Sequence, residues 1–260
     1  MLRKLWTAMC LTGLLLGFGA AVAQEDETVS YIIDTTGNRH EGIIEKKGNS
    51  GDLLYKKEVG PTSRTFNKGT YTRVYTPKPA AVAELEKLFS AKKYDDVVAK
   101  APAALGTYDW LGWGGRICYL QGKAHLAKGK VQEAKSAFLK GQDYGRVDGT
   151  LRTLQRAEIE IRVTQGSDPA LERDLKRMAP DPFKYKVLGM LAEAKAKAAN
   201  NDQNLLTEAA LQYMKVALVY AVEDGGDDRR ECFERLIDVL KQLKDNRYET
   251  FAQRLKQEYP

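Results

Sequence analysis

The sequence GKAHLAKGKVQEAKSAF, residues 122–138, carries the clearest architectural pattern in this chain. Two helix-forming runs flank a glycine, and three positions of the segment recur downstream at one fixed interval. The two sets are Gly129, Ala134 and Phe138, followed by Gly166, Leu171 and Leu175. A fixed period of about 20–50 residues is typical of stacked units that cannot bury their apolar faces alone. We therefore expect a helical repeat protein, a class whose usual work is to hold other molecules.

The unit around this segment resembles a tetratricopeptide repeat. In that family a small residue, matched by Gly122, lets the first helix approach its partner, and a glycine, matched by Gly129, ends that helix. Ala134 matches the small residue of the second helix, and Phe138 matches the aromatic residue one turn later. His125 departs from the pattern, since the family has an aromatic residue there.

The resemblance extends more loosely over residues 79–260, and residues 209–224 and 255–260 are similar to bacterial cell-envelope proteins of the same superfamily. It implies about five helix pairs stacked as a right-handed α-α hairpin solenoid. We expect breaks between helices at Gly106, within residues 141–149 and at Gly225–Gly226, because glycine disfavours helix interiors.

The family resemblance also implies where a partner binds. Ligands of such repeats lie in the concave groove formed by the first helices, onto which Arg116, Tyr119 and Lys123 would project. A protein or peptide carrying an acidic group would suit these three side chains. The alternative is that they form a solvated face with no ligand.

Residues 24–78 predict a small all-β module in front of the helices. Runs rich in β-forming residues alternate with turn sequences such as Gly37-Asn38 and Gly60-Pro61. Residues 34–44 resemble the opening hairpin of SH3-like or Sm-like barrels in exported bacterial proteins. Two prolines, Pro77 and Pro79, mark the boundary to the helical domain. The expected fold class is therefore mainly α with a small all-β N-terminal module.

Residues 1–23 have the organisation of a secretory signal peptide. Arg3 and Lys4 precede an apolar run, and Ala21 and Ala23 form a small-x-small cleavage site. Cleavage is expected after Ala23, which predicts a periplasmic or secreted protein. The apolar run is shorter than the roughly 20 residues of a membrane span, so we expect no membrane span.

Charge and motif content argue against several function classes. The formal net charge of +6 comes from 41 basic and 35 acidic residues, a mild excess that argues against a nucleic-acid partner. The histidines His40 and His125 show no catalytic or metal-ligand spacing, and no phosphate-binding or nucleophile motif is present. The sequence thus predicts no enzyme activity, no metal and no cofactor. Asp95-Asp96 and Asp227-Asp228 are read as charges that stabilise helix N-termini.

Two alternatives stay open. Trp110 and Trp113 lie in a glycine-punctuated segment and either form a platform that stacks on sugars or peptides, or wedge between the first two repeats. The leading functional hypothesis is a protein–protein scaffold in an envelope assembly. The alternative is a carbohydrate- or peptidoglycan-binding module, with a cell-wall glycan held by the β module and the two tryptophans. Cys118 and Cys232 are either packed thiols or a disulfide.

Overall fold

Strands come first and helices second in the computed structural model of the protein, which describes residues 28–165 and 169–259, except the side chains of residues 224 and 225. The strands are β1 Tyr31–Asp34, β2 Arg39–Glu41, β3 Ile43–Lys47, β4 Asp52–Lys56, β5 Ser63–Phe66 and β6 Tyr71–Tyr75. The first helices are α1 Ala80–Ser90, α2 Tyr94–Tyr108, α3 Gly114–Ala127, α4 Val131–Asp148 and α5 Leu151–Thr164, with a kinked segment Asp109–Trp113 between α2 and α3. The later helices are α6 Pro169–Arg177, α7 Pro182–Ala198, α8 Gln203–Val219, α9 Val222–Gln242 and α10 Arg247–Glu258.

The strands form two antiparallel three-stranded sheets, with the orders β2-β1-β6 and β3-β4-β5. On β1, Ile32 pairs with His40 of β2 on one side and with Val74 of β6 on the other. Ile32, Leu53 and Phe66 are buried, so each sheet contributes apolar side chains to one cluster. The expectation of short strands at the N-terminus is confirmed, as six strands in two sheets.

From α1 to α5 and from α7 to α10, each helix packs mainly against the helices that adjoin it in sequence, whereas α5 packs on α7 and not mainly on α6. Alternate helices also touch: α1 contacts α3, α3 contacts α5, α5 contacts α7, and α7 contacts α9. The short helix α6 packs against α7. These contacts bring α3, α5, α7 and α9 into one row. The expectation of a mainly helical protein is confirmed.

The helix break expected at Gly106 is wrong, whereas the break expected within residues 141–149 is confirmed at Gly149. Helix α2 continues through Gly106, and α4 continues through Gly141 to end before Gly149, whose φ of 80° is left-handed. A Cβ atom at Gly141 would lie 2.7 Å from Cβ of Cys118 and 2.9 Å from Cδ2 of Leu154. Gly141 is therefore a packing residue that lets α4 approach α3 and α5.

Buried apolar side chains form several clusters along the chain. The largest joins α5 to α10, another joins α1 to α3, and a third lies where α3, α4 and α5 meet. Cys118 and Cys232 belong to different clusters, and both are free and buried. The interpretation as packed thiols is confirmed, and burial raises the pKa of Cys118 to about 12.

Candidate binding groove

A cavity of about 840 Å³ lies along the row of α3, α5, α7 and α9. Its lining includes Tyr119 of α3, Arg156 of α5, Lys186 of α7 and Asp228 of α9. Because these helices alternate in the sequence, the cavity is built by every second helix of the row. We call this cavity the groove.

A buried lysine connects three of the helices that line the groove. The Lys186 side chain is only 4% exposed, and its ammonium lies 2.5 Å from Oε1 of Glu160, 2.6 Å from Oδ1 of Asp228 and 3.0 Å from Oε2 of Glu231. An ammonium group has three donors, so each carboxylate can accept one. Lys186 therefore links α7 to α5 and α9.

These contacts determine which charge state each group holds. Burial alone would lower the pKa of Lys186, but Glu160, Glu231 and Asp228 surround the ammonium and raise its pKa above the ordinary value. Burial likewise opposes the charged form of Glu231, yet Lys186 and Arg235 lower the pKa of that carboxyl. The groups are held in their charged forms by one another.

The network extends from Asp228 to the start of α7. The Arg156 guanidinium lies 3.2 Å from Oδ2 of Asp228 and 2.8 Å from Oδ2 of Asp181, and 4.5 Å from the centre of the Phe183 ring. Asp181 also caps α7, since its Oδ1 accepts a hydrogen bond of 2.7 Å from the backbone N–H of Lys184. Asp181, which caps α7, thus also fixes the position of Arg156 in the groove.

In the opposite direction the network runs from Glu231 to a second cavity. Arg235 lies 2.9 Å from Oε1 of Glu231 and 3.2 Å from Oε2 of Glu193, and Tyr213 donates a hydrogen bond to Glu193. Glu193 and Arg235 line a neighbouring cavity of about 470 Å³. Paired charges therefore separate the groove from this second cavity.

A break in α9 shapes the last side of the groove. Gly226 has φ +47° and ψ −135°, which is not helical, and it interrupts α9 after its first turn. Only glycine adopts this conformation without strain. Glu223, on one side of the break, and Asp227, on the other, both line the groove and are both exposed.

The structure brings two of the three expected groove residues together. Tyr119 and Lys123 line the groove, and the Lys123 ammonium lies 3.8 Å from Oε2 of Glu160. Arg116 pairs with Glu86 of α1, with its Nη2 at 2.8 Å from Oε1. The guanidinium of Arg116 is 5.8 Å from the centre of the Tyr119 ring.

The two tryptophans lie at the junction with the β module. Trp110 is only 5% exposed and belongs to the apolar cluster of the sheets, where its ring meets Tyr144 with a centroid distance of 4.9 Å. The ammonium of Lys68 lies 4.4 Å from the centre of the Trp110 ring. The indole N–H of Trp113 donates to the backbone oxygen of Thr76 at 3.1 Å. Both tryptophans thus attach the helices to the β module.

The residues of the repeat pattern lie in helix contacts. A methyl group at Gly122 would overlap the Phe138 ring, so Gly122 lets α3 approach α4 at this point. Gly129 has φ +71° in the turn between these helices, and Ala134 is fully buried. Leu171 and Leu175 are buried on α6, while Gly166 lies outside the described residues.

Sequence reasoning missed two features. A methyl group at Gly189 of α7 would overlap the Tyr213 ring of α8, which repeats the contact between Gly122 and Phe138 two helix pairs later. Gly189 and Tyr213 are farther apart in the sequence than Gly122 and Phe138, so the sequence spacing does not show that the two contacts are equivalent. Lys186 was missed because it is one of several lysines in its helix, and nothing local distinguishes the buried one.

The groove presents paired charges and aromatic rings. Neither described histidine lines it: Nε2 of His40 lies 2.9 Å from Oδ2 of Asp34 in the β module, and His125 is buried in α3. Over residues 28–165 and 169–259, no three side chains of His, Cys, Asp or Glu form a group that could hold a metal ion. The arrangement supports binding through charge and shape.

Comparison of the chain with known protein families, with curated proteins and with solved structures finds no match. Among the helices that the structure describes, none combines the length and the apolar character needed to cross a membrane.

Proposed function

We propose that this chain is a non-catalytic scaffold of the tetratricopeptide type, exported after removal of residues 1–23, which binds a protein partner in a bacterial envelope assembly. The observation that carries the proposal is the groove, because its lining comes from alternate helices of a row. A solenoid of helix pairs places its first helices side by side in this way.

Two repeated contacts support the solenoid. Gly122 against Phe138 and Gly189 against Tyr213 are the same small-to-aromatic contact between consecutive helices, once in α3 and α4 and once in α7 and α8. Such a contact fixes the approach of two helices. Because the same contact occurs in both helix pairs, we infer that α7 approaches α8 as α3 approaches α4.

Photo-crosslinking in living cells tests the function. A photoreactive amino acid in place of Thr153, which lines the groove, should crosslink a partner protein, whereas one in place of Leu139, exposed on α4, should not. Equal crosslinking from both positions, or none from Thr153, would contradict the proposal. Fractionation of the same cells tests the expected periplasmic or secreted location.

No observation favours glycan binding by the tryptophans, because Trp110 is buried against the β module and Trp113 is engaged by Thr76. Sedimentation with purified cell-wall sacculi is the direct comparison. The scaffold proposal expects the protein to stay in the supernatant.

A further inference from the structure

The cations in the groove are already occupied by carboxylates of the same chain. Lys123 faces Glu160, Arg152 lies 3.3 Å from Oδ2 of Asp181, and Arg156 bridges Asp181 and Asp228. Lys186 is enclosed by three carboxylates, as described above. An acidic ligand would therefore have to compete with these carboxylates for each cation, although the Arg152 side chain stays 77% exposed.

The groove carboxylates outnumber these cations, six against four in the lining. Glu223 and Asp227 account for the difference, since neither has an ion pair or a side-chain hydrogen bond within the described part of the chain. Both are exposed, so they keep their hydration until a partner arrives. This acidic lining is set in a chain whose formal net charge is +6, so the groove differs in sign from the protein as a whole.

The dimensions of the groove suit a length of polypeptide. Neighbouring packed helices are about 8–10 Å apart, so the row of four helices spans about 25 Å. An extended chain rises about 3.3 Å per residue, so about seven residues would cross the row. A single small cation would occupy only part of this length. The Tyr119 ring offers an aromatic face in the same lining.

We propose that the partner enters the groove as an extended segment rich in lysine or arginine, with its cations against Glu223 and Asp227. This inference rests on the proposed scaffold function and specifies the partner's charge. It reverses the acidic partner that Arg116 and Lys123 suggested from the sequence, because the structure pairs Arg116 with Glu86 and Lys123 with Glu160. Opposite charges of this kind steer association and select partners.

Fluorescence anisotropy with labelled synthetic peptides tests the inference. A short peptide of alternating lysine and serine should bind at low ionic strength, and the matched peptide of glutamate and serine should not. The double variant Glu223→Gln/Asp227→Asn should weaken binding of the lysine peptide about three- to tenfold, the range expected for two exposed charge pairs. Added salt should weaken the wild-type binding.

A matched control removes the same formal charge elsewhere. Glu208 of α8 and Asp143 of α4 are exposed and lie outside the groove, and the variant Glu208→Gln/Asp143→Asn should leave the affinity unchanged. All four side chains are exposed, so both variants should fold as the wild type does, which circular dichroism checks. An equal loss of affinity in the two variants would overturn the inference, because it would show a general charge effect.

The remaining outcomes separate this inference from the proposed function. If the glutamate peptide binds as well as the lysine peptide, or neither binds while Thr153 still crosslinks a partner, the basic segment is wrong and the scaffold stands. If crosslinks map outside the groove, both are wrong. Spermidine serves as the small-cation control. If spermidine binds as tightly as the lysine peptide, the groove does not select a polypeptide, and the inference is overturned.

Discussion

Lys186 is the side chain on which the charges of the groove depend. Replacement of Lys186 by methionine would leave the carboxylates of Glu160, Asp228 and Glu231 close together without the cation that they share. Loss of one partner from a buried ion pair costs about 3–5 kcal/mol. We therefore expect Lys186→Met to lower the free energy of unfolding by about that amount at pH 7, measured by urea denaturation.

The control for this variant is the same substitution at an exposed lysine that also pairs with a carboxylate. Lys176 lies 2.9 Å from Oε1 of Glu172 with 67% of its side chain exposed, and Lys176→Met should change the free energy of unfolding far less than Lys186→Met does. Lys186 lowers the pKa of Glu231 in the folded protein, so the stability that this pair contributes is lost as the pH falls below the ordinary glutamate value of 4.5, and the loss in Lys186→Met should shrink there. Equal losses in the two variants would contradict the role of burial.

His125 is a buried histidine whose Nδ1 has no hydrogen-bond partner among the described residues. Burial lowers the pKa of His125 below its ordinary value of 6.5. The unfolded chain therefore binds a proton near pH 6.5 that the folded protein does not bind, so folding loses stability as the pH falls below 6.5.

The variant His125→Phe should remove this loss, because phenylalanine does not titrate. It should also remove the unsatisfied nitrogen, worth about 1 kcal/mol. Chemical denaturation of both proteins from pH 8 to pH 5 measures the effect. A stability difference that does not grow as the pH falls would show that His125 titrates normally.

In the helices, glycine stabilises the protein at one position and destabilises it at another. A methyl group at Gly122 overlaps the Phe138 ring, whereas a methyl group at Gly106 meets no atom within 4 Å. Gly122→Ala should therefore cost about 1–3 kcal/mol or more through overpacking. Gly106→Ala should stabilise the protein by about 0.5–1 kcal/mol, because alanine loses less entropy in a helix. Thermal melting distinguishes the two signs.

A double variant identifies the contact responsible. Phe138→Leu in the Gly122→Ala background should recover part of the lost stability, because a smaller side chain leaves room for the added methyl group. Additive losses would place the strain at another contact. The same reasoning applies to Gly189 and Tyr213, which form the equivalent contact between α7 and α8.

These helices also show what the sequence predicts and what it misses. Gly129 and Ala134 follow local rules of turns and close helix packing, and the sequence placed both correctly. The role of Gly141 does not show in the sequence, because it depends on contacts with Cys118 and Leu154 of neighbouring helices. The sequence does not reveal the role of Lys186 for the same reason, because the carboxylates that surround its ammonium belong to other helices. Sequence patterns report local preferences, and the groove charges depend on contacts between distant segments.

At the scale of the whole molecule, the β module and the helices share an apolar cluster. Trp110 comes from the segment before α3 and Val147 from α4, yet both are buried with Ile32 and Leu53 of the strands. A polar contact reinforces this junction, since the Lys46 ammonium lies 2.9 Å from Oδ1 of Asp109. We therefore expect the β module and the first helices to unfold together.

Trp110→Ala tests this coupling. Truncation of a buried tryptophan costs about 3–5 kcal/mol, and here the cavity would open between the strands and the helices. Hydrogen exchange should show faster exchange at Ile32 and Leu53 in the strands and also in α4, because both sides lose the same side chain. Trp113→Phe is the comparison: it removes the hydrogen bond to Thr76 but keeps an aromatic ring, and it should cost about 1 kcal/mol. If Trp110→Ala loosens the strands while α4 keeps its protection, the two parts are stable separately. The cluster would then be a surface contact between independent domains, and a truncated chain beginning at α1 should fold.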